Sequence, residues 1–141
     1  MPASFTYSIT ARRLAGQANG IHFVITAVSG DGAGSKTNAW GPAANDPSQT
    51  CLKEIDGPSH VHGGPLPTGT YRIGRAHLKP KKGLWADLVP MNASHMCNRA
   101  GFAIHGRGPH GSDGCIVPLT KFTELMGALA ADPGGWLVVV E

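Results

Sequence analysis

Charge is scarce in this chain: only 15% of its 141 residues are Asp, Glu, Lys or Arg, and 12 basic against 9 acidic side chains leave a net charge of +3. So mild a balance excludes the broad basic footprint that nucleic-acid binding requires. Cysteine is also sparse, with Cys51, Cys97 and Cys115 the whole complement and no C-x-x-C pair among them. An odd count allows at most one intramolecular disulfide and leaves at least one thiol outside it. Long apolar runs are missing as well. The longest, Trp136 to Val140, is far too short to cross a bilayer, and the first twenty residues contain no uninterrupted apolar stretch of the kind a Sec signal needs. The expectations are no stable membrane insertion, and a chain made in the cytoplasm without a Sec-type signal. Internal repeats and low-complexity tracts are absent from the sequence, and nothing marks a second domain, so residues 1–141 read as one domain.

Glycine and proline are plentiful. The 20 glycines and 11 prolines cannot serve comfortably in helix interiors, which excludes a helical bundle and predicts a loop-rich fold. Phe5, Tyr7 and Ile9 alternate with polar residues, and residues 21–28 are dense in β-branched side chains, so the opening reads as a β-hairpin with residues 16–20 between its strands. Residues 29–47 read as a long loop with Trp40 as a core anchor or, failing that, a substrate platform. Gly64-Pro65-Leu66-Pro67-Thr68-Gly69 reads as a turn feeding a strand at 70–73. Further strands are predicted at 83–89, 101–105 and 115–117, with a buried closing strand at 136–140. One helix stands out. Phe122, Leu125, Met126 and Leu129 repeat at helical spacing, with Thr120 in the N-cap position and Asp132-Pro133-Gly134 as the stop. The fold class is therefore mainly β with one helix near residues 120–131.

The richest chemistry lies between Ile104 and Pro118, where His105, His110 and Cys115 stand among glycines. A cysteine nucleophile needs a base or cation to hold it as thiolate, a backbone that turns sharply beside it, and donors for an oxyanion. His105 at the end of an apolar strand, Gly114 just before Cys115, and the backbone N–H groups of both residues meet those needs. Two other chemistries compete. His60 and His62 with His105, His110 and Cys115 offer ligand types for zinc, but no zinc-type spacing is present. Gly30 to Thr37 approaches a phosphate-binding loop, yet Ser35 stands where glycine must precede Lys36, and Gly41-Pro42 follow where a helix should begin. A basic run free of acidic residues, Arg72, Arg75, His77, Lys79, Lys81 and Lys82, reads either as a solvated face or as a patch for an anionic substrate or polymer.

His105-Gly106 followed by Ser112-Asp113-Gly114-Cys115-Ile116 resembles the active-site signature of the YkuD-type L,D-transpeptidases, and Gly64-Pro65-Leu66-Pro67-Thr68-Gly69-Thr70-Tyr71-Arg72-Ile73 resembles the lead-in to a strand of that superfamily. The short interval from His105 to Cys115, the Val28-Ser29-Gly30 turn and the Asn45-Asp46-Pro47 loop are similar to those of compact L,D-transpeptidase effectors of type VI secretion systems. Two positions depart from the housekeeping pattern. Asp113 stands where a histidine is usual, and Val117 follows Ile116 where an arginine is usual, which leaves Arg99 or Arg107 to supply a cation.

The resemblance implies a single-domain β-sandwich and a thioester mechanism on peptidoglycan tetrapeptide stems, with no cofactor and no metal. Cys115 would be the nucleophile and His105 its base, Ser112 would orient the histidine or line the pocket, and backbone donors at Gly114 would hold the oxyanion. His62, Tyr71, Arg107 and Asp113 would contact substrate. The resemblance also implies a secreted antibacterial toxin acting in the periplasm of a target bacterium, with secretion-system components and a cognate immunity protein as partners. A housekeeping L,D-transpeptidase and a non-catalytic or zinc-binding wall-associated module are the alternative readings.

Overall fold

The computed structural model describes residues 2–30, 43–55, 63–92, 95–106 and 114–141. The chain opens on three antiparallel strands, β1 (Ser4–Ser8), β2 (Arg13–Ala18) and β3 (Ile21–Ser29). This corrects the two-stranded hairpin expected from the sequence: residues 13–18, between the two expected strands, form a strand of their own. Arg13–Ala18 has no β-branched residue, and it is held in extended form by pairing on both edges rather than by propensity. Asn19 and Gly20, at φ +51° and +74°, make the tight turn into β3. Gly16 is required for a second reason, because a Cβ there would sit 2.1 Å from the Ser4 carbonyl oxygen.

After a short 3-10 turn at Pro47–Gln49 come β4 (Gly69–Ile73), β5 (His77–Lys79), β6 (Gly83–Pro90), β7 (Ala103–His105) and β8 (Ile116–Pro118). Helix α1 (Phe122–Ala131) and β9 (Trp136–Val140) follow. Strand β5, which the sequence reading omitted, is a three-residue edge strand paired only to β6 and exposed throughout. The sheet runs β4-β9-β1-β2-β3-β8-β7-β6-β5, and an extra pairing of β4 with β6 closes it on itself. Two strands form the corners. The first part of β3 pairs β2 and its last three residues pair β8; likewise β6 pairs β5 and β7 early and β4 late. Strands that pass from one sheet to the other in this way are the corner device of packed β-sheets, and the mainly β expectation holds.

The core is filled by one face of each strand other than β5, with Tyr7, Leu14, Ile25, Tyr71, Ile104, Ile116 and Leu137 fully buried. The helix adds Leu125, Met126 and Leu129, three of the four residues whose spacing predicted it, while Phe122 is partly buried. Its N-cap is Lys121 in the left-handed conformation, without a side-chain capping bond, rather than Thr120. Strand β9 is buried on alternate residues only: Leu137 and Val139 face the core, while Trp136, Val138 and Val140 are exposed.

A buried polar network ties the loop at residues 43–46 to this core. The Asn45 amide donates to the Tyr7 hydroxyl and to the Ile9 carbonyl, 2.7 Å each, and its oxygen accepts from the Ser29 N–H at 2.9 Å. The Tyr7 hydroxyl in turn donates to the Ala27 carbonyl, and Ser29 Oγ accepts from the Leu66 N–H. Both donors of the amide are thus used and its oxygen is also bonded, as burial demands. The network fixes the start of the Pro65–Pro67 segment, which leads toward the candidate site.

Candidate active site

Cys115 and His105 come to the same face of the sheet from neighbouring segments of the chain. Strands β7 and β8 are parallel, with Ile104 opposite Ile116. Both isoleucines are fully buried in the main core, so side chains alternate and His105 points to the other face of the pair. Carrying the register one residue ahead of β8 puts Cys115 on that face too, beside Ala103. A strand spacing of about 4.8 Å and a rise of about 3.3 Å per residue put the two Cα atoms roughly 8 Å apart on the diagonal, a gap an imidazole can span. That face carries a second, smaller apolar cluster of Val28, Val117 and Leu119. Cys115 and His105 are each 8% exposed, shielded but open to solvent along a sliver.

The imidazole is held on two sides. Its Nδ1 lies 2.8 Å from the Gly106 carbonyl oxygen. A carbonyl only accepts, so Nδ1 carries the proton and, in the neutral ring, the lone pair sits on Nε2, the tautomer a general base needs. The ring also stacks on Trp85, its register partner across β6 and β7, with 4.8 Å between centroids. Lys79 Nζ lies 4.2 Å from the centroid of the same indole. The Cys115 thiol donates to the Gly101 carbonyl at 3.6 Å, and Cys115 stands outside the disulfide that joins the other two cysteines.

Gly114 takes φ +130°, a region closed to other residues in practice. A Cβ there would also lie 2.1 Å from Nη2 of Arg99, so the guanidinium occupies the space a side chain would need. Arg99 itself is buried. Its Nη2 donates to the Gly64 carbonyl and its Nη1 to that of Pro65, 2.8 Å each, with a further bond to the Thr50 carbonyl. Of the two arginines that the sequence offered as a cation near the nucleophile, the structure brings Arg99 against the turn before Cys115. Arg107 lies outside the described residues.

Tyr71 is placed differently from expectation. As a substrate-contacting residue it would need accessible surface, but it is fully buried, packed edge-on against Phe102 at 5.8 Å, and its hydroxyl donates to the Pro67 carbonyl at 2.6 Å. In this structure it supports the Pro65–Pro67 segment from beneath. Ser112, His62, Asp113, the two other candidate zinc histidines His60 and His110, and Trp40 lie outside the described residues. Trp85 was missed by the sequence reading. A strand tryptophan carries no mark of a partner until pairing registers it against His105. Cys51 and Cys97, left open as a pair in the sequence, are joined by a disulfide with Cα atoms 5.3 Å apart.

No protein-family model matches the sequence, and no curated protein does. Solved structures do match. An L,D-transpeptidase from Xylanimonas cellulosilytica superposes with a TM-score of 0.54 at 14% identity, over 99% of this chain and 60% of its own. The fold is that of an L,D-transpeptidase catalytic domain. The helical cell shape determining protein Pgp2 of Campylobacter jejuni gives a TM-score of 0.55 at 16% identity, over 99% of this chain and 48% of its own. The chain thus spans between about half and three fifths of the length of these two proteins. At such low identity the likeness is one of architecture, and the chemistry rests on the side chains described above.

Proposed function

We propose that the protein is a peptidoglycan-acting cysteine enzyme, an L,D-transpeptidase and L,D-carboxypeptidase on tetrapeptide stems. The observation that carries this reading is the register of β7 and β8, which sets Cys115 and His105 on one face of the parallel pair within an L,D-transpeptidase fold. His105 takes the thiol proton at Nε2, and Cys115 Sγ attacks the carbonyl carbon of the meso-diaminopimelate residue, forming a C–S bond. The tetrahedral oxyanion is held by backbone N–H groups at Gly114 and Cys115. Its collapse breaks the C–N bond to D-alanine, and the imidazolium returns the proton to the leaving amine. Water then hydrolyses the thioester, or an amine from a D-amino acid or another stem displaces the thiol.

Digestion of purified tetrapeptide muropeptides, read by mass spectrometry, tests this. Wild-type protein should yield tripeptide, or exchanged and cross-linked products when D-amino acids or acceptor stems are added, and Cys115→Ala should yield none. Unchanged tetrapeptide under all these conditions with wild-type protein would remove the proposal.

We further propose that the enzyme is an antibacterial effector of a type VI secretion system, secreted and acting in the target periplasm, with a cognate immunity protein guarding the producer. The short His105-to-Cys115 interval supports this branch, and the disulfide suits an oxidising compartment. Expression directed to the periplasm should arrest growth and cytoplasmic expression should not. Equal growth in both cases counts against it.

A further inference from the structure

The Cys51–Cys97 disulfide and the Cys115 site are joined by one side chain. Arg99 is two residues past Cys97, and one of its hydrogen bonds goes to the carbonyl of Thr50, the residue before Cys51. The crosslink therefore fastens together the segment that carries the guanidinium and a segment that binds it. From there the guanidinium reaches the Gly64 and Pro65 carbonyls and lies where a side chain on Gly114 would be, one residue from the nucleophile. Cys97 and Asn98 are both left-handed, at φ +53° and +57°, an arrangement two successive non-glycine residues leave readily once untied. A buried guanidinium also lends positive potential to the turn from which the thiolate projects.

We propose that Arg99 is a positioning residue of the Cys115 site, held against the Gly114 turn by the Cys51–Cys97 disulfide, so that the site is fully assembled only in the oxidised chain. Oxidation proceeds by thiol–disulfide exchange. The two cysteine thiols give up two electrons and two protons to an incoming disulfide, their sulfurs join, and that disulfide leaves as two thiols. A protein of this design is restrained in a reducing cytoplasm and completed after export. The role deepens the proposed enzyme reading and rests on it for its biological meaning, but its physical content is the reactivity of one thiol.

The test is the pH profile of Cys115 alkylation by iodoacetamide on the full chain, followed by mass spectrometry of the peptide containing Cys115. Arg99→Met should raise the midpoint by about one pH unit, and Arg99→Lys, which keeps the charge but not the planar fork, by less. Cys51→Ala with Cys97→Ala should raise it by a comparable amount. Adding Arg99→Met to that double variant should raise it no further, because both changes remove the same contact. A wild-type midpoint in Arg99→Met, or additive shifts, overturns the proposal. If a variant loses its circular-dichroism spectrum, the comparison is made on wild-type protein before and after reduction with dithiothreitol, which leaves as its cyclic disulfide. Equal midpoints then overturn the proposal. So does loss of the native spectrum on reduction, since the crosslink would then hold the whole fold rather than the site. Alkylation needs no peptidoglycan, so a wild-type protein that fails to process tetrapeptide sinks the enzyme reading while the midpoints still decide the role of Arg99.

Discussion

The imidazole of His105 lies flat on the indole of Trp85, with ring planes 7° from parallel. Stacked aromatic pairs contribute about 0.5–1.5 kcal/mol beyond the area they bury. Here that energy also fixes the direction of Nε2. Trp85→Leu should therefore lower kcat on tetrapeptide about two- to tenfold with KM little changed, because the imidazole proposed as the base is displaced and the binding surface is not. Steady-state kinetics check this, and a wild-type kcat would show that the Gly106 carbonyl alone orients the ring.

Gly114→Ala combines a forbidden φ with a clash against Arg99. The strain alone is of order 1–3 kcal/mol, and the arginine must also move. Urea denaturation should show a loss of about 2 kcal/mol or more, and tetrapeptide cleavage should fall at least about tenfold. Stability within about 0.5 kcal/mol of wild type would mean that the turn can relax into an ordinary conformation.

Asn45→Ala removes three side-chain hydrogen bonds at once and leaves the Ser29 N–H and the Ile9 carbonyl without this partner in a buried place. Each such group costs about 1–3 kcal/mol, so a loss of about 3 kcal/mol is expected in equilibrium unfolding. Asn45→Asp should not rescue it, since a carboxylate cannot donate to Tyr7 and Ile9.

The chain has two tyrosines, Tyr7 and Tyr71, and burial pushes both phenols well above their ordinary value of about 10. A phenol whose folded pKa exceeds its unfolded one favours the folded state fully below the unfolded pKa. That contribution is lost as pH rises through 10 and beyond. Near-ultraviolet titration should accordingly show no phenolate step near pH 10 while the circular-dichroism spectrum is native, and both tyrosines should ionise together as the protein unfolds in alkali. A separate step near pH 10 with the fold intact would contradict their burial.

The fold was legible where local pattern and tertiary demand agree. Helix α1 announced itself through Leu125, Met126 and Leu129, and most strands through β-branched runs or turn punctuation. Strand β2 was not legible from its own residues, because its extended form is imposed by two neighbours. Its one local signal was the Asn19-Gly20 pair, a hairpin turn motif just after it. Cys115, His105 and Gly114 stand out in the sequence because a glycine-rich stretch concentrates rare residue types in a few positions. Arg99 was legible only as one of two arginines. Its contacts with Thr50, Gly64, Pro65 and Gly114 bring together segments up to 64 residues apart, and no local spacing encodes that. Tyr71 was misread for the complementary reason: a tyrosine on a strand leading toward a site looks the same in sequence whether its ring faces substrate or core.

The position of β9 bears on when the fold can form. It lies between β1 and β4, parallel to one and antiparallel to the other, although β1 and β4 precede it by scores of residues. Until residues 136–140 have left the ribosome, neither neighbour can be satisfied on that side, and the ring that β4 and β6 close stays open. Contacts this distant in sequence slow folding and leave unpaired strand edges meanwhile. Synthesis therefore yields a chain that remains incompletely folded until β9 is made.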